Sequence, residues 1–84
     1  MTDARVKVLY FAQARELTGT REEELVLSHP TDVNRLFSEL MSTHPRLESI
    51  KGILSVFVNG RRVSGDVELK DGDRIALVPP VAGG

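Results

Sequence analysis

In several short stretches of this chain, hydrophobic and polar residues alternate, which is the pattern of half-buried β-strands. Alternation in the first stretch puts Phe11 on the face opposite to Val8 and Tyr10. In the last stretch it separates an outward Val78 from an inward Leu77. The sequence therefore predicts strands over residues 6–12, 23–27, 54–58, 62–64 and 74–78.

One longer segment has helical periodicity instead. A helix is predicted over residues 32–43, with Thr31 as its N-cap and Pro45 as the residue that ends it. Shorter helical turns are predicted over residues 13–19, closed by a glycine, and over residues 46–52. The apolar residues of the main helix form one stripe at i, i+3, i+4, i+7 and i+8: Val33, Leu36, Phe37, Leu40 and Met41.

Turn residues connect these elements. Asn59-Gly60 is a strong signal for a tight hairpin, and Asp71-Gly72-Asp73 is expected to form a turn in which the glycine takes a positive φ. Pro79-Pro80 ends strand pairing because neither residue can donate an amide hydrogen. One amphipathic helix must cover one face of a mixed sheet to bury its stripe, so the predicted fold class is α+β.

Composition narrows the class of protein. The chain has 84 residues, 40% of them hydrophobic and 27% charged, which is typical of a single globular domain. The net charge of −1 does not favour binding to nucleic acid or to an anionic membrane. The absence of a membrane-length apolar run and of a signal peptide predicts a cytoplasmic location.

The histidines and carboxylates do not form a recognisable catalytic or metal-binding motif. His29 and His44 are far apart, and a ligand histidine normally has partners, so both are predicted to be ordinary surface or helix-end residues. The acidic runs Glu22–Glu24 and Asp71–Asp73 are interpreted as the polar edge of a strand and as a turn. The sequence lacks glycine-rich phosphate-binding motifs and the GxSxG motif, so nucleotide binding and serine hydrolysis are not expected.

The last six residues, PPVAGG, carry the most distinctive chemistry. Glycines have no Cβ, so a bare backbone can pass through a narrow channel into the active site of another protein. An extended tail from Pro79 to Gly84 reaches at most about 20 Å. A carboxylate becomes electrophilic only after activation, for example as an acyl-adenylate. The terminal carboxylate of Gly84 is therefore a candidate reactive group, and a frayed, inert end is the alternative.

Three blocks of the sequence, KVLYFAQARELTG, VNG and DGDRIALVPPVAGG, resemble the small subunits of molybdopterin synthase. The resemblance runs from about Val6 to Gly84. It implies a ubiquitin-like β-grasp domain over residues 1–78, in which a mixed sheet of four to five strands packs on one main helix. A flexible diglycine tail over residues 79–84 would follow.

The resemblance also implies a function. In this family an ATP-using, E1-like enzyme adenylates the C-terminal glycine, and a sulfur donor converts it to a thiocarboxylate. The sulfur then passes to cyclic pyranopterin monophosphate in the large subunit, where most of the catalytic groups lie. By position, Gly84 would carry the sulfur and Gly83 would let the tail pass. The chain itself would bind no cofactor or metal, and would work in a heterotetramer of two small and two large subunits.

The zero cysteine count fits this implication, because a sulfur carrier without a thiol must hold sulfur at its carboxyl end. If the first and last strands are parallel neighbours, Phe11 and Val78 lie at the tail end of the outward face, and Phe57 can join them. An apolar patch beside a reactive tail favours a docking surface over scattered exposed residues. The predicted partner contacts are Phe11, Phe57, Val78, Pro79, Pro80, Val81 and Ala82.

Three other functions stay open at this point. The chain could be a thiocarboxylate carrier for thiamine, cysteine or tRNA thiolation, although thiamine-type carriers tend to be shorter and lack the FAQARELTG block. It could be a ubiquitin-like modifier attached to lysines through the same activated glycine. It could also be a β-grasp binding module whose tail is inert.

Overall fold

The computed structural model describes residues 3–80, which form ten elements. Within this part of the chain, five strands form one mixed sheet in the order β2-β1-β7-β4-β5, and β3 and β6 form a small second sheet. The helices are α1 (Gln13–Thr18), α2 (Val33–Thr43) and a 3-10 segment (Pro45–Ile53). The strands are β1 (Asp3–Tyr10), β2 (Glu22–Ser28), β3 (Thr31–Asp32), β4 (Ser55–Val58), β5 (Arg61–Val63), β6 (Glu68–Leu69) and β7 (Arg74–Val78).

β1 and β7 are neighbours in the sheet and run parallel, which was the condition set above for Phe11 and Val78 to lie at the same end of the outward face. β1 and β7 pair in register from Lys7 opposite Arg74 to Tyr10 opposite Leu77, while the other pairs in this sheet are antiparallel. Because parallel strands end at the same edge of a sheet, the end of β1 lies beside the end of β7. The chain therefore leaves the sheet after Val78 next to the start of the β1–α1 connection.

The core lies on one side of the five-stranded sheet. β1 alternates as predicted, with Val8 and Tyr10 almost completely buried, and the apolar stripe of α2 packs against this face. Leu36 and Leu40 of α2 are fully buried, while Phe37 is only partly buried at the border. In this part of the chain, the helices cover one face of the sheet and leave the other face open.

The start of α2 differs from the prediction. Asp32, not Thr31, is the N-cap: its carboxylate accepts a hydrogen bond from the Arg35 amide at 2.9 Å. α2 begins at Val33, so Asp32 is the residue directly before it, whereas the Thr31 hydroxyl is buried without a hydrogen-bond partner. The prediction of Thr31 as the cap was therefore wrong, and the short β3–β6 pairing was not expected from the sequence.

The first strand is also displaced from its predicted range. It begins at Asp3 and ends at Tyr10, two residues before the predicted end at Ala12. Ala12 has a positive φ of 50°, which turns the chain from β1 into α1. The amide of Phe11 still donates to the Leu77 carbonyl at 3.3 Å, so this residue stays beside β7 after regular pairing has ended.

The predicted hairpin and turn are confirmed, and the structure joins them. Asn59 and Gly60 both have positive φ, which is the conformation of a two-residue type I′ hairpin. The Asn59 side chain donates to the Asp73 carboxylate at 2.9 Å and accepts from the Arg74 amide at 3.0 Å. The β4–β5 hairpin is thereby tied to the first residue of β7. Gly72 adopts a φ of 90°, as expected for the turn before that strand.

Candidate functional site

An apolar groove of about 550 Å³ lies on the open face of the sheet, at its tail end. It brings together three residues that the sequence had predicted as partner contacts, Phe11, Phe57 and Val78. Phe11 is 40% exposed and lies next to the other apolar lining residues, and contiguous exposed apolar surface marks a candidate interaction site. The lining residues are Leu9, Phe11, Phe57, Asn59, Gly60, Arg74, Ala76 and Val78.

The register of three neighbouring strands explains the shape of this groove. Ala76 of β7 is the partner of Leu9 on one side and of Phe57 on the other. Side chains at paired positions share a face of the sheet, so the small Ala76 lies between two large side chains. A methyl group between a leucine and a phenylalanine leaves a hollow. Phe11 adds a wall to it, held there by the hydrogen bond from its amide to Leu77.

The proposed reactive tail begins directly beside this groove. Val78 lines the groove, and it is followed by a buried Pro79 and an exposed Pro80. Pro79 is thus packed against the domain, and the contact of both prolines with a partner stays a prediction. Val81, Ala82, Gly83 and Gly84 lie outside the described residues.

A second cluster, on the covered side of the sheet, contains polar groups. The Tyr10 hydroxyl donates a hydrogen bond to Oε1 of Glu23, and Nε2 of His44 lies 2.6 Å from the same oxygen. The rings of Tyr10 and His44 pack edge to face, with their centroids 5.8 Å apart. These residues come from β1, β2 and the C-cap of α2, so the cluster fastens the end of the main helix to two strands.

This cluster corrects the interpretation of Glu23, which was assigned with Glu22 and Glu24 to the polar edge of a strand. The prediction for His44 as a helix-end residue is confirmed, because it is the C-cap of α2, but its contact with Glu23 was not expected. Glu23 and His44 are half-buried and bound to each other. Alternation could have predicted the position of Glu23, because a strand with Leu25 and Leu27 inward also places Glu23 inward. His44 gave no such signal, since its position depends on where α2 ends relative to the sheet.

Burial is the main cause of the raised pKa of the Tyr10 hydroxyl in this cluster. Desolvation, together with the hydrogen bond to the Glu23 carboxylate, raises the pKa of the Tyr10 hydroxyl above its usual value of about 10. A buried phenol held neutral beside a carboxylate is a structural donor, and it does not supply a proton acceptor near neutral pH. The cluster therefore supports the fold, whereas the groove and the tail are the candidate functional site.

Comparisons with known proteins agree with this fold. The chain belongs to the ThiS family, whose sequence profile matches residues 8–84. It is 42% identical over 80 residues to the molybdopterin synthase sulfur carrier subunit of Escherichia coli (strain K12), an alignment that covers 94% of this chain and 99% of that protein.

Solved structures extend the likeness. Small archaeal modifier protein 1 from Methanosarcina acetivorans is 30% identical, with a TM-score of 0.81 and full coverage of both chains. A chain of the complex of subunits 1 and 2 of molybdopterin-converting factor from Helicobacter pylori 26695 is 26% identical, with a TM-score of 0.71, over 95% of this chain and 99% of that one. A Caldiarchaeum subterraneum ubiquitin, 15% identical with a TM-score of 0.64 over 98% and 99% of the two chains, shares the fold alone. The ubiquitin-like β-grasp fold implied by the sequence blocks is thus confirmed.

No helix within residues 3–80 combines the length and the apolar character needed to cross a lipid bilayer.

Proposed function

We propose that this protein is the sulfur carrier subunit of a molybdopterin synthase, and that the carboxyl group of Gly84 is its reactive group. The observation that carries the proposal is the apolar groove that opens beside the end of β7, directly before the sequence PPVAGG. Membership of the ThiS family and the near-full-length similarity to a sulfur carrier subunit support it.

The chemistry requires activation and then substitution at one carbonyl carbon. An oxygen of the Gly84 carboxylate attacks the α-phosphate of ATP on an E1-like enzyme, and pyrophosphate leaves. The sulfur of a donor then attacks the carbonyl carbon of the acyl-adenylate, and AMP leaves with the oxygen. With a persulfide as the donor this attack gives an acyl disulfide, and a thiol then reduces its S–S bond, leaving the thiocarboxylate and a disulfide of the donor and the thiol. The thiocarboxylate delivers its sulfur to cyclic pyranopterin monophosphate during formation of the dithiolene.

This chain presents the tail, and other proteins catalyse the reactions. The groove docks on the large catalytic subunit, and the small residues at positions 81–84 follow into its active site because glycine and alanine need little space. Phe11, Phe57 and Val78 supply the apolar contact. The complex of subunits 1 and 2 of molybdopterin-converting factor supports a large-subunit partner. We further propose a heterotetramer in the cytoplasm, with ATP used by the activating enzyme and no cofactor held by this chain.

Intact-mass measurement tests the carrier chemistry. The chain is incubated with its activating enzyme, ATP and a sulfur donor, and we expect the mass change of one carboxyl oxygen replaced by sulfur. A variant lacking Gly83 and Gly84 is the control and should remain unchanged. If the full chain acquires no sulfur while the enzyme consumes ATP with it, the carrier proposal is wrong.

A pathway assay then separates the related carriers. The sulfur-loaded chain is mixed with its cognate large subunit and cyclic pyranopterin monophosphate, and we expect molybdopterin to form. A loaded chain that leaves the precursor unchanged would instead serve thiamine, cysteine or tRNA thiolation.

Attachment to other proteins is the second candidate function, favoured by the similarity to small archaeal modifier protein 1. It would use the same activated Gly84, with a lysine amine in place of the sulfur donor. Isopeptide-linked conjugates that disappear when Gly83 and Gly84 are deleted would establish it. A binding module with an inert tail would keep its function in the same deletion.

A further inference from the structure

Three arginines lie in or beside the apolar groove, and they suggest the chemistry of the surface that the groove contacts. Arg74 lines the groove at the start of β7. A neighbouring hollow of about 330 Å³ shares Leu9 and Phe11 with the groove, and its lining includes Arg15 and Arg21. We refer to Arg15, Arg21 and Arg74 as the arginine rim.

Within residues 3–80, no ion pair of 4 Å or less joins an arginine of the rim to a carboxylate. The ion pairs of arginine or lysine found in this range use Arg5, Lys7 and Arg35. Glu22 also lines the neighbouring hollow, but its carboxylate lies 3.5 Å from the Lys7 ammonium. The carboxylate of Asp73, next to Arg74, accepts hydrogen bonds from Asn59 and from the Lys70 amide.

The positive charge of this rim contrasts with the rest of the molecule. The whole chain has a formal net charge of −1, so the rim is a local feature and not part of a generally basic surface. All three arginine side chains belong to exposed residues. An apolar centre surrounded by charge is the usual arrangement of a protein interface, in which the rim steers association and selects the partner.

We propose that the arginine rim recognises carboxylates on the large subunit, placed around the apolar side chains that fill the groove. This rests on the proposed function, because it names the partner of the same docking surface. Guanidinium groups pair with carboxylates in a planar, two-bond geometry, which fixes the orientation of the docked chain and so aims the tail that begins after Val78.

A polyanion fits this face less well than a protein does. Glu24 and Glu22 project from β2 on the same open face, paired in register with Lys7 and Leu9. A nucleic acid or an anionic bilayer laid across the sheet would meet these carboxylates as well as the rim. A folded partner can place its carboxylates opposite the arginines alone.

The test compares two double variants that remove the same amount of charge. Arg15→Gln with Arg74→Gln changes the rim, while Arg46→Gln with Lys51→Gln changes two exposed residues of the 3-10 segment, on the covered side. Association with the cognate large subunit is followed by stopped-flow at low and high salt. Unfolding in urea is measured for each variant, so that any loss of fold is separated from loss of binding.

At about 0.05 M salt, we expect the rim variant to associate about tenfold more slowly than the unaltered chain, and the 3-10 variant to be within about twofold. At about 1 M salt the difference should largely disappear, because exposed charges are then screened over about 3 Å. Equal rates for the two variants at low salt would overturn the role of the rim and leave the sulfur carrier proposal intact.

Two other outcomes separate a failure of the proposed function from a failure of the rim proposal alone. If the unaltered, folded chain does not bind the large subunit at all, the proposed function fails, and the rim proposal fails with it. The same variants are tested against a single-stranded RNA oligonucleotide and against phosphatidylserine vesicles at about 0.15 M salt. Rim-dependent binding to either of these, together with rim-independent binding to the large subunit, would overturn a protein partner for the rim.

Discussion

The two faces of the five-stranded sheet differ: one is buried in the core, and the other is exposed and forms the apolar groove. On the covered face, Val8 and Leu77 are completely buried beneath α2. On the open face, their chain neighbours Leu9 and Val78 line a groove with a 40% exposed Phe11. Contiguous exposed apolar side chains on a sheet face mark an interaction site. The α-helices cover one face of this sheet, and we infer that the partner covers the apolar part of the other.

The comparison predicts that a leucine-to-alanine substitution lowers the free energy of unfolding much more on the covered face than on the open face. Leu77→Ala should lower the free energy of unfolding by about 2–5 kcal/mol, because it leaves a cavity in a closed core. Leu9→Ala, on the neighbouring strand, should lower it by no more than about 1 kcal/mol, since the site is already open to water. Urea denaturation followed by far-ultraviolet circular dichroism measures both values.

Similar losses in the two variants would mean that the open face contributes to the core as the covered face does. The idea of a surface kept for a partner would then be wrong. Leu77→Ala is best examined at low temperature, so that a folded baseline is retained for the fit.

Substitutions on the open face should instead have the larger effect on the affinity for the large subunit. We expect Phe11→Asp to weaken the affinity for the large subunit by about 30-fold or more, because a central aromatic contact contributes about 2 kcal/mol or more to an interface. Ile53→Asp is the matched control, since Ile53 is 53% exposed but belongs to the 3-10 segment on the other side of the molecule. Isothermal titration calorimetry measures both affinities.

The free energy of unfolding should change little in either variant. An unchanged affinity for Phe11→Asp would show that the groove is not the docking surface. A loss in Ile53→Asp as large as that in Phe11→Asp would point to a general effect of added negative charge.

A smaller effect is expected at the polar cluster of the covered face. Glu23→Ala should lower the free energy of unfolding by about 1–3 kcal/mol, because it leaves the buried Tyr10 hydroxyl without its acceptor. Glu22→Ala removes a neighbouring carboxylate whose exposed ion pair with Lys7 contributes about 1 kcal/mol or less. Thermal unfolding of both variants tests the difference, and equal losses would contradict the structural role of Glu23.

The smallest effect is a dependence of stability on alkaline pH. The folded state raises the pKa of Tyr10, so above about pH 10 the unfolded chain loses its phenol proton while the folded chain retains it. The free energy of unfolding should therefore fall by up to about 1.4 kcal/mol for each pH unit above 10, with no contribution at lower pH.

Tyr10 is the only tyrosine in the sequence, so phenolate absorbance reports this group alone. We expect phenolate to appear near pH 10 in urea and at clearly higher pH in the folded protein. Tyr10→Phe should lack the tyrosine component of the alkaline slope. Ionisation of the folded protein at the same pH as in urea would show that the hydroxyl is not held neutral.

Local signals explain why most of the fold was predictable from the sequence. Alternation in β1 and β7, the stripe of α2 and the Asn59-Gly60 hairpin each depend on residues close together in the chain. The positions of Phe11, Phe57 and Val78 were also predictable, because parity on each strand fixes the face. Parallel pairing of β1 with β7 then brought the three into one groove.

Contacts between distant residues were not predictable in the same way. The pairing of β3 with β6, which buries the Thr31 side chain directly before the Asp32 cap of α2, joins residues more than thirty positions apart in the chain. The inward position of Glu23 followed from alternation, but its bond to His44 needed the end of α2 to reach the sheet.

The sequence by itself determined the main helix and five of the strands, which of their residues face outward, and that a diglycine follows the last strand. Tertiary structure alone decided that Ala76 lies between Leu9 and Phe57, that Arg74 lines the resulting groove, and that Arg15 and Arg21 line the hollow beside it. The physical reason is that periodicity reports the face of one element at a time, whereas a groove and its charged rim depend on the register between elements.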